Sequence, residues 1–309
     1  MGKIAFLFAG QGSQYPGMGK DFYENIEEVR DSFHFAEDFR PGTLKQMFSG
    51  TEEELKRTEN TQPCLFLTDI AAAMALEKQG IHPDMTAGFS LGEIAALGQG
   101  GILTRQEAFR LVCVRGKLMQ QAADIQEGSM IAVMRMERKE LEQLCAKTGV
   151  YPVNYNCPGQ IVVSGEAEKM ETLKNMLHSL GVRFVPLAVG GPFHTPYMRS
   201  ACEGLRDELQ KEKEPYHIHK AVIPVFANKT AEPYSADREE IITTLTEQIS
   251  QSVLWEDIIR NMHRAGVDTF IECGPGRTLS SFVKRTLEGV NIYNVSDMPS
   301  LQKVVTEME

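Results

Sequence analysis

The chain has 309 residues, enough for one large core or two linked domains, and its 42% hydrophobic and 24% charged residues are ordinary for a soluble globular protein. No apolar run approaches the roughly 20 residues of a membrane-spanning helix, and a net charge of −10 without a basic run argues against nucleic acid as a partner. Six cysteines without CxxC spacing or a histidine cluster argue against a metal site and favour reduced thiols in a cytoplasmic protein.

The N-terminus predicts a buried strand that leads into a glycine-rich loop. The apolar run Lys3–Phe8 is short and has no clear cleavage site, so it favours a strand over a signal peptide. The loop begins Gly10-Gln11-Gly12, like a dinucleotide-binding GxGxxG motif, but Tyr15 stands where the third glycine belongs. The sequence therefore gives no support to a nucleotide cofactor, and we expect no cofactor of any kind.

Apolar runs alternate with amphipathic stretches over the whole chain, which is the pattern of an α/β fold. The predicted buried strands are Lys3–Phe8, Thr86–Phe89, Ile223–Phe226, Thr269–Glu272 and Asn291–Val295. The predicted helices are Thr61–Gln79, Thr104–Ala123, Pro196–Glu212, Arg238–Ser250 and Trp255–Ala265.

The middle of the chain predicts a separate unit. Its order is β-α-β-β-α-β, that of the ferredoxin-like fold, over Ser129–Met134, Glu137–Lys147, Val150–Tyr155, Gln160–Ser164, Glu166–Leu180 and Val182–Ala188. We therefore predict a ferredoxin-like subdomain at residues 127–190, inserted into a large α/β domain formed by residues 1–126 and 191–309.

A nucleophilic serine is predicted where the second strand ends. The run Gly88-Phe89-Ser90-Leu91-Gly92 matches G-x-S-x-G and lies between a predicted strand and a predicted helix, the context that this motif requires. A sharp turn there needs little bulk on either side and exposes the Ser90 hydroxyl. A chance match in a loop is the alternative, and the two correct flanks favour the nucleophile.

Among seven histidines, His194 is the best candidate for the base that the serine needs. It follows Gly190-Gly191-Pro192-Phe193, where the chain leaves the predicted subdomain and starts a helix, and loops at such junctions often display catalytic side chains. A structural, hydrogen-bonded histidine is the alternative. Gln11 lies in a glycine loop that could supply an oxyanion-hole amide beside that of Leu91, although an ordinary turn explains the same residues equally well.

Arg115 lies in the middle of an apolar helical stripe made of Ala108, Leu111, Val112, Leu118, Met119 and Ala122. A buried guanidinium is costly unless a carboxylate pairs with it. That carboxylate could belong to the protein, for example Glu93, or to a substrate held bidentately. Spacing alone leaves both interpretations open.

Taken together, these motifs resemble the malonyl-CoA:acyl carrier protein transacylases. The similarity is collinear from residue 3 to about 295 and comprises Gly10–Gln14 with Gly17–Gly19, Gly88–Glu93, Arg115–Lys117 with Met119-Gln120, Asn154–Asn156 with Pro158–Gln160, Pro192–His194 and Glu272–Gly276. The resemblance implies a hydrolase-like α/β domain with a parallel sheet that carries a ferredoxin-like subdomain.

The resemblance also implies roles for the catalytic residues. Ser90 would be the nucleophile and His194 its base, oriented by the main-chain carbonyl of Gln248 instead of an acid. The amides of Gln11 and Leu91 would form the oxyanion hole.

On the substrate side, the resemblance implies that Arg115 binds the malonyl carboxylate and that Phe193 belongs to the malonyl-selecting form of its motif. The sequence departs from the family at two places. Phe89 replaces the histidine that usually precedes the nucleophile, and Ser252–Leu254 replace an Asn-Pro that often precedes the tryptophan, here Trp255. The first change puts a secondary substrate contact in doubt, and the second the loop that presents the Gln248 carbonyl.

The interpretation is a monomeric malonyltransferase that moves malonyl from malonyl-CoA to acyl carrier protein for fatty acid synthesis, without a metal. A free-standing acyltransferase of a polyketide synthase is the nearest alternative, and a serine thioesterase or other hydrolase is more distant. Because acyl carrier proteins are acidic like this chain, docking needs a local positive patch. Arg277, Lys284 and Arg285 are candidates for it, although the sequence favours a solvated helix face as the interpretation of these residues.

Overall fold

A computed structural model describes residues 2–308 of the chain. Its strands are β1 Lys3–Phe8, β2 Met85–Gly88, β3 Gly128–Met134, β4 Tyr151–Cys157, β5 Gln160–Glu166, β6 Phe184–Pro186, β7 Val225–Phe226, β8 Val267–Cys273 and β9 Asn291–Val295. Its α-helices are α1 Lys20–Asn25, α2 Glu27–Phe39, α3 Thr43–Ser49, α4 Glu52–Lys56, α5 Thr58–Lys78, α6 Gly92–Gln99, α7 Arg105–Ile125, α8 Arg138–Thr148, α9 Ala167–Ser179, α10 Arg199–Gln210, α11 Arg238–Glu247, α12 Trp255–Arg264, α13 Thr278–Thr286 and α14 Met298–Met308.

A parallel sheet with the order β7-β2-β1-β8-β9 forms the centre of the larger part of the molecule. Its middle strand β1 reads as a nearly continuous apolar run because helices cover both faces of the sheet. The long helices α5 and α7 pack against each other on one face, and α12 and α13 pack on the other. The predicted α/β fold class with a parallel sheet is confirmed.

The second sheet is antiparallel and has the order β4-β5-β3-β6. Helices α8 and α9 cover one face of it, around a small apolar core. The element order and the strand order are those of the ferredoxin-like unit that the sequence predicted. The boundaries at residues 127–190 stay a proposal.

Two predicted helices are shorter in the structure than in the prediction. The helix after His194 starts as a 3-10 turn at Pro196–Met198 before α10, because Thr195 caps that turn and proline is favoured at its first position. The helix predicted to reach Ser250 changes to a 3-10 turn at Gln248–Ser250, which changes the hydrogen bonding of its last carbonyls.

The loops that carry the candidate site residues follow the carboxyl ends of the parallel strands. Gln11 follows β1, Ser90 follows β2, and Asn228 follows β7. In open α/β sheets, ligands bind outside this edge. Within residues 2–308, no helix is long and apolar enough to cross a membrane.

The six cysteines are all free thiols: four are buried and two, Cys113 and Cys202, are half-buried. Burial raises the pKa of each thiol, to about 12 for Cys64, Cys113 and Cys145. None of them lies in the loops that follow β1, β2 and β7.

Candidate active site

Ser90 lies on a sharp turn between β2 and α6, with a left-handed φ of 53°. A Cβ at Gly88 would lie 1.9 Å from the carbonyl of Gly92, and one at Gly92 would lie 2.4 Å from the Phe8 carbonyl oxygen. Both positions therefore require glycine, which is why the motif predicts the turn. The turn leaves the Ser90 side chain half-buried at the carboxyl edge of the sheet.

The structure brings three of the predicted catalytic groups together. Ser90 Oγ lies 2.8 Å from His194 Nε2, and His194 Nδ1 lies 3.0 Å from the main-chain oxygen of Gln248. A carbonyl only accepts hydrogen bonds, so Nδ1 carries the proton and Nε2 is free to accept one from serine. The Gln248 carbonyl is available because α11 ends there, and the replacement of Asn-Pro before Trp255 leaves this contact in place.

His194 is buried and is held, like Ser90, on left-handed backbone, with φ 60°. Burial and, to a smaller extent, the positive charge of Arg115 lower the pKa of His194 to about 4, against the opposing effect of the Gln248 carbonyl. The imidazole is therefore neutral at physiological pH, which is the form that accepts a proton.

Arg115 has no exposed surface, and its partners are neutral. Its Nη1 donates to Gln62 Oε1 at 2.7 Å, and its Nη2 donates to Gln248 Oε1 at 2.9 Å and to Ser90 Oγ at 3.3 Å. Among residues 2–308 no carboxylate lies within 4.0 Å of the guanidinium, and its Nε–H has no acceptor. Glu93 acts on Arg115 only through its field, so the internal ion pair that the sequence left open is not formed.

Two main-chain amides without a hydrogen-bond acceptor in the described part of the chain indicate an anion site beside Ser90. Within residues 2–308, the amides of Gln11 and Leu91 donate to no protein acceptor, whereas the amides of Gly92 and Glu93 are bonded within the turn. Leu91 caps α6, where the helix dipole favours negative charge. The arrangement fits an oxyanion hole.

The comparisons with known proteins agree with this geometry. A family model described as the acyl transferase domain matches residues 5–309. The chain belongs to the acyl transferase domain family. It is 38% identical to the malonyl CoA-acyl carrier protein transacylase of Bacillus subtilis, over 100% of this chain and 98% of that protein.

Two solved structures resemble this acyl transferase closely. The crystal structure of a malonyl CoA-acyl carrier protein transacylase from Clostridium perfringens is 39% identical, covers 99% of this chain and 97% of its own, and has a TM-score of 0.93. The second is the structure of a type II PKS acyl-carrier protein in complex with its malonyl-transacylase. The matched chain is 32% identical to this one, the match covers 99% of each chain, and the TM-score is 0.92. The family resemblance that the motifs predicted is confirmed.

A small pocket of about 70 Å³ opens over Ser90 in this acyl transferase. Its apolar wall contains Phe193, and Phe89 lines both this pocket and a neighbouring pocket of about 230 Å³. Phe89 packs edge-on against Trp255, with ring centroids 5.4 Å apart. The residue before the nucleophile is thus an apolar wall here, without a titratable group.

The sequence did not single out two buried amides of the site, Gln62 and Asn228. Gln62 holds Arg115, and Asn228 contacts the Ser90 turn. Gln62 is a buried polar residue just before the apolar stretch of α5, and Asn228 lies two residues after the buried strand β7. Both are signals of a functional or structural polar network, but neither indicates its partner. Among residues 2–308, no group of three or more His, Cys, Asp or Glu side chains could hold a metal ion.

Proposed function

We propose that this enzyme transfers malonyl from malonyl-CoA to the phosphopantetheine thiol of an acyl carrier protein and thereby supplies fatty acid synthesis. The observation that carries the proposal is Arg115, a fully buried cation 3.3 Å from the Ser90 hydroxyl and without a protein carboxylate. A malonyl group differs from an acetyl group by its carboxylate, which would satisfy the free Nε–H of Arg115. The names of the relatives support the same substrate and the same acceptor.

The reaction has two half-reactions on one serine. His194 Nε2 accepts the Ser90 proton as Oγ attacks the malonyl thioester carbonyl, and the amides of Gln11 and Leu91 stabilise the oxyanion. Coenzyme A leaves as its thiol with the proton from His194. His194 then accepts the proton of the carrier-protein thiol, which attacks the malonyl ester, and returns it to Ser90 Oγ. Arg115 holds the carboxylate throughout.

The neighbouring pocket supports entry of a pantetheine arm. It shares Gln11, Phe89, Asn154 and Leu187 with the serine pocket, so the two cavities adjoin. Within the described residues, the side-chain oxygens of Asn154 and Asn156 have no hydrogen-bond partner. A pantetheine arm carries amide N–H groups that would satisfy them.

We also propose a docking site for the acidic carrier protein on α13. Thr278 and Phe282 line the pantetheine pocket, while Lys284 and Arg285 are exposed at the end of the same helix. Arg285 also binds the Pro158 carbonyl, which joins α13 to the β4–β5 turn. A monomeric, cytoplasmic protein without a nucleic-acid partner belongs to the same proposal, and the reduced thiols support the compartment.

Incubation of the protein with malonyl-CoA and no acceptor tests this function. We expect one malonyl group per chain, mapped to Ser90 by peptide mass spectrometry, because the acyl-enzyme forms before the acceptor binds. Holo acyl carrier protein should discharge the label, and the apo form, which lacks the thiol, should not. Carriers from fatty acid and polyketide synthesis then separate the two transferase alternatives. A label that water removes as fast as the holo carrier protein does would identify a hydrolase.

Acylation is expected to keep its rate from about pH 8 to about pH 5 and to fall with a midpoint near the lowered His194 pKa of about 4. The sign follows from the base: protonation below that pKa removes the Nε2 lone pair, and deprotonation above it changes nothing. The measurement is kcat/KM for malonyl-CoA against pH, which reports the free enzyme. A midpoint near the ordinary histidine value of about 6.5 would contradict the effect of burial and of Arg115.

A further inference from the structure

Asn228 is fully buried at the end of β7, beside the turn that carries Ser90. Its Oδ1 accepts a hydrogen bond from the Ser90 amide at 2.7 Å, and its Nδ2 donates to the Gly88 carbonyl at 2.7 Å. The side-chain amide thus bridges both sides of Phe89, on the two residues that define the turn.

The Asn228 side chain extends the hydrogen-bond pattern between β2 and β7 beyond the end of the strand pairing. Strands β2 and β7 pair as Thr86 with Val225 and Ala87 with Phe226, and the ladder stops there. Beyond it, the Asn228 side chain supplies one donor and one acceptor to β2, as the next peptide group of a strand would. The left-handed Ser90 backbone is disfavoured for a residue with a side chain, so it persists only where its surroundings fix it.

The surroundings also fix which way the amide faces. Oδ1 accepts a second hydrogen bond from Gln248 Nε2 at 3.3 Å, and the Asn228 main-chain amide donates to Glu93 Oε2 at 3.2 Å. The flipped amide would direct its NH2 group at two donors and its oxygen at a carbonyl. Gln248 Nε2 in turn donates to the Ser90 carbonyl at 2.9 Å.

We propose that Asn228 is a positioning residue for the nucleophile: its amide holds the Ser90 turn in the geometry that keeps Oγ within reach of His194 Nε2. This inference rests on the proposed role of Ser90. Asn228 lines neither pocket and contacts the site through the backbone on either side of Phe89 and through the Gln248 side chain.

The first test replaces the amide. Asn228→Ala is expected to slow single-turnover malonylation about 100-fold, because a displacement of about 1 Å at a reacting group has that effect. Asn261→Ala is the matched control, since Asn261 Nδ2 donates to the Ala231 carbonyl and so supports the same turn after β7 without touching β2. The control should label at a rate close to that of the wild type.

The second test uses Asn228→Asp, which keeps the volume and stays informative if Asn228→Ala fails to fold. A protonated carboxyl restores the donor to Gly88 and the acceptor for Ser90, whereas a carboxylate repels the Gly88 carbonyl. Burial and the facing Glu93 raise the pKa of the introduced carboxyl, while the more distant Arg115 lowers it and the neutral His194 and Tyr234 leave it unchanged. The malonylation rate of the variant should therefore increase as the pH falls from about 8.5 to about 5.5. The increase should be about tenfold per pH unit at pH values above the pKa of the introduced carboxyl, while the rate of the wild type stays constant.

Circular dichroism over the same pH range distinguishes positioning from folding. The proposal is overturned if Asn228→Asp follows the wild-type pH profile, or if its loss of rate at high pH tracks a loss of ellipticity. It is equally overturned if Asn228→Ala folds and labels as fast as Asn261→Ala. A wild-type protein that takes up no malonyl group would instead refute the proposed function, so the two failures remain distinct.

Discussion

Replacement of Ser90 by alanine is expected to abolish both the malonyl-enzyme and the transfer of malonyl to the carrier protein. In the proposed mechanism the Ser90 hydroxyl oxygen attacks the thioester, and His194 Nε2 and Arg115 Nη2 lie 2.8 Å and 3.3 Å from it. Removal of a serine nucleophile costs roughly 10⁶-fold in kcat where this has been measured in a triad enzyme. Intact-mass spectrometry after incubation with malonyl-CoA measures the first effect, and transfer to holo carrier protein measures the second.

Ser164→Ala is the matched control. Ser164 is a fully buried serine of the antiparallel sheet whose hydroxyl has no partner within residues 2–308, and it lines neither pocket. This variant should take up one malonyl group as the wild type does. If Ser90→Ala is still labelled stoichiometrically, a different residue is the nucleophile and the mechanism above is wrong.

Arg115→Ala is expected to lower kcat/KM for malonyl-CoA by about 30-fold to a few thousandfold, because loss of one partner of a buried charge pair costs roughly 2–5 kcal/mol. Acetyl-CoA should respond in the opposite direction. The wild type must keep a buried, uncompensated guanidinium over the methyl group of acetyl, and the variant need not. The ratio of kcat/KM for malonyl-CoA to kcat/KM for acetyl-CoA is therefore the measurement that tests this prediction.

Arg115→Lys should restore malonyl transfer only in part. A lysine keeps the charge but replaces the planar fork that bonds Gln62, Gln248 and Ser90 at once. Arg40→Ala serves as the control, because Arg40 also donates to neutral side-chain oxygens, those of Thr43, Gln46 and Asn60, but lines neither pocket. If Arg115→Ala slowed malonyl and acetyl transfer equally, Arg115 would be a structural residue.

The sequence predicted those parts of the fold that follow from local rules. The alternation of apolar and amphipathic stretches predicted the parallel sheet, and the order of elements after Ala123 predicted the antiparallel one. The ends of elements were less accurate, as at β7, where only Val225–Phe226 pair of the predicted Ile223–Phe226. Strand ends depend on which neighbour supplies hydrogen bonds, and a single chain segment does not encode that neighbour.

In the candidate site, too, features that depend on local sequence were predictable and features that depend on distant residues were not. The turn that carries Ser90 was predictable, because its steric requirements appear in the sequence as glycines on either side. The partner of Arg115 was not, since Gln62 and Gln248 lie 53 and 133 residues away along the chain. A helical stripe shows that a cation is buried, but only tertiary structure shows that its partners are neutral. The low His194 pKa has the same origin, because it depends on burial and on Arg115.

The six buried or half-buried thiols matter for an enzyme that handles thioesters. Any reactive cysteine near the substrate could exchange with malonyl-CoA and become acylated itself, because the thiolate is the attacking form. Here burial raises the pKa of every thiol, so each is overwhelmingly protonated at neutral pH. We therefore expect malonyl-CoA to leave the six cysteines unmodified. The malonyl oxygen ester on serine would then accumulate without competing thioesters on the cysteines of the chain.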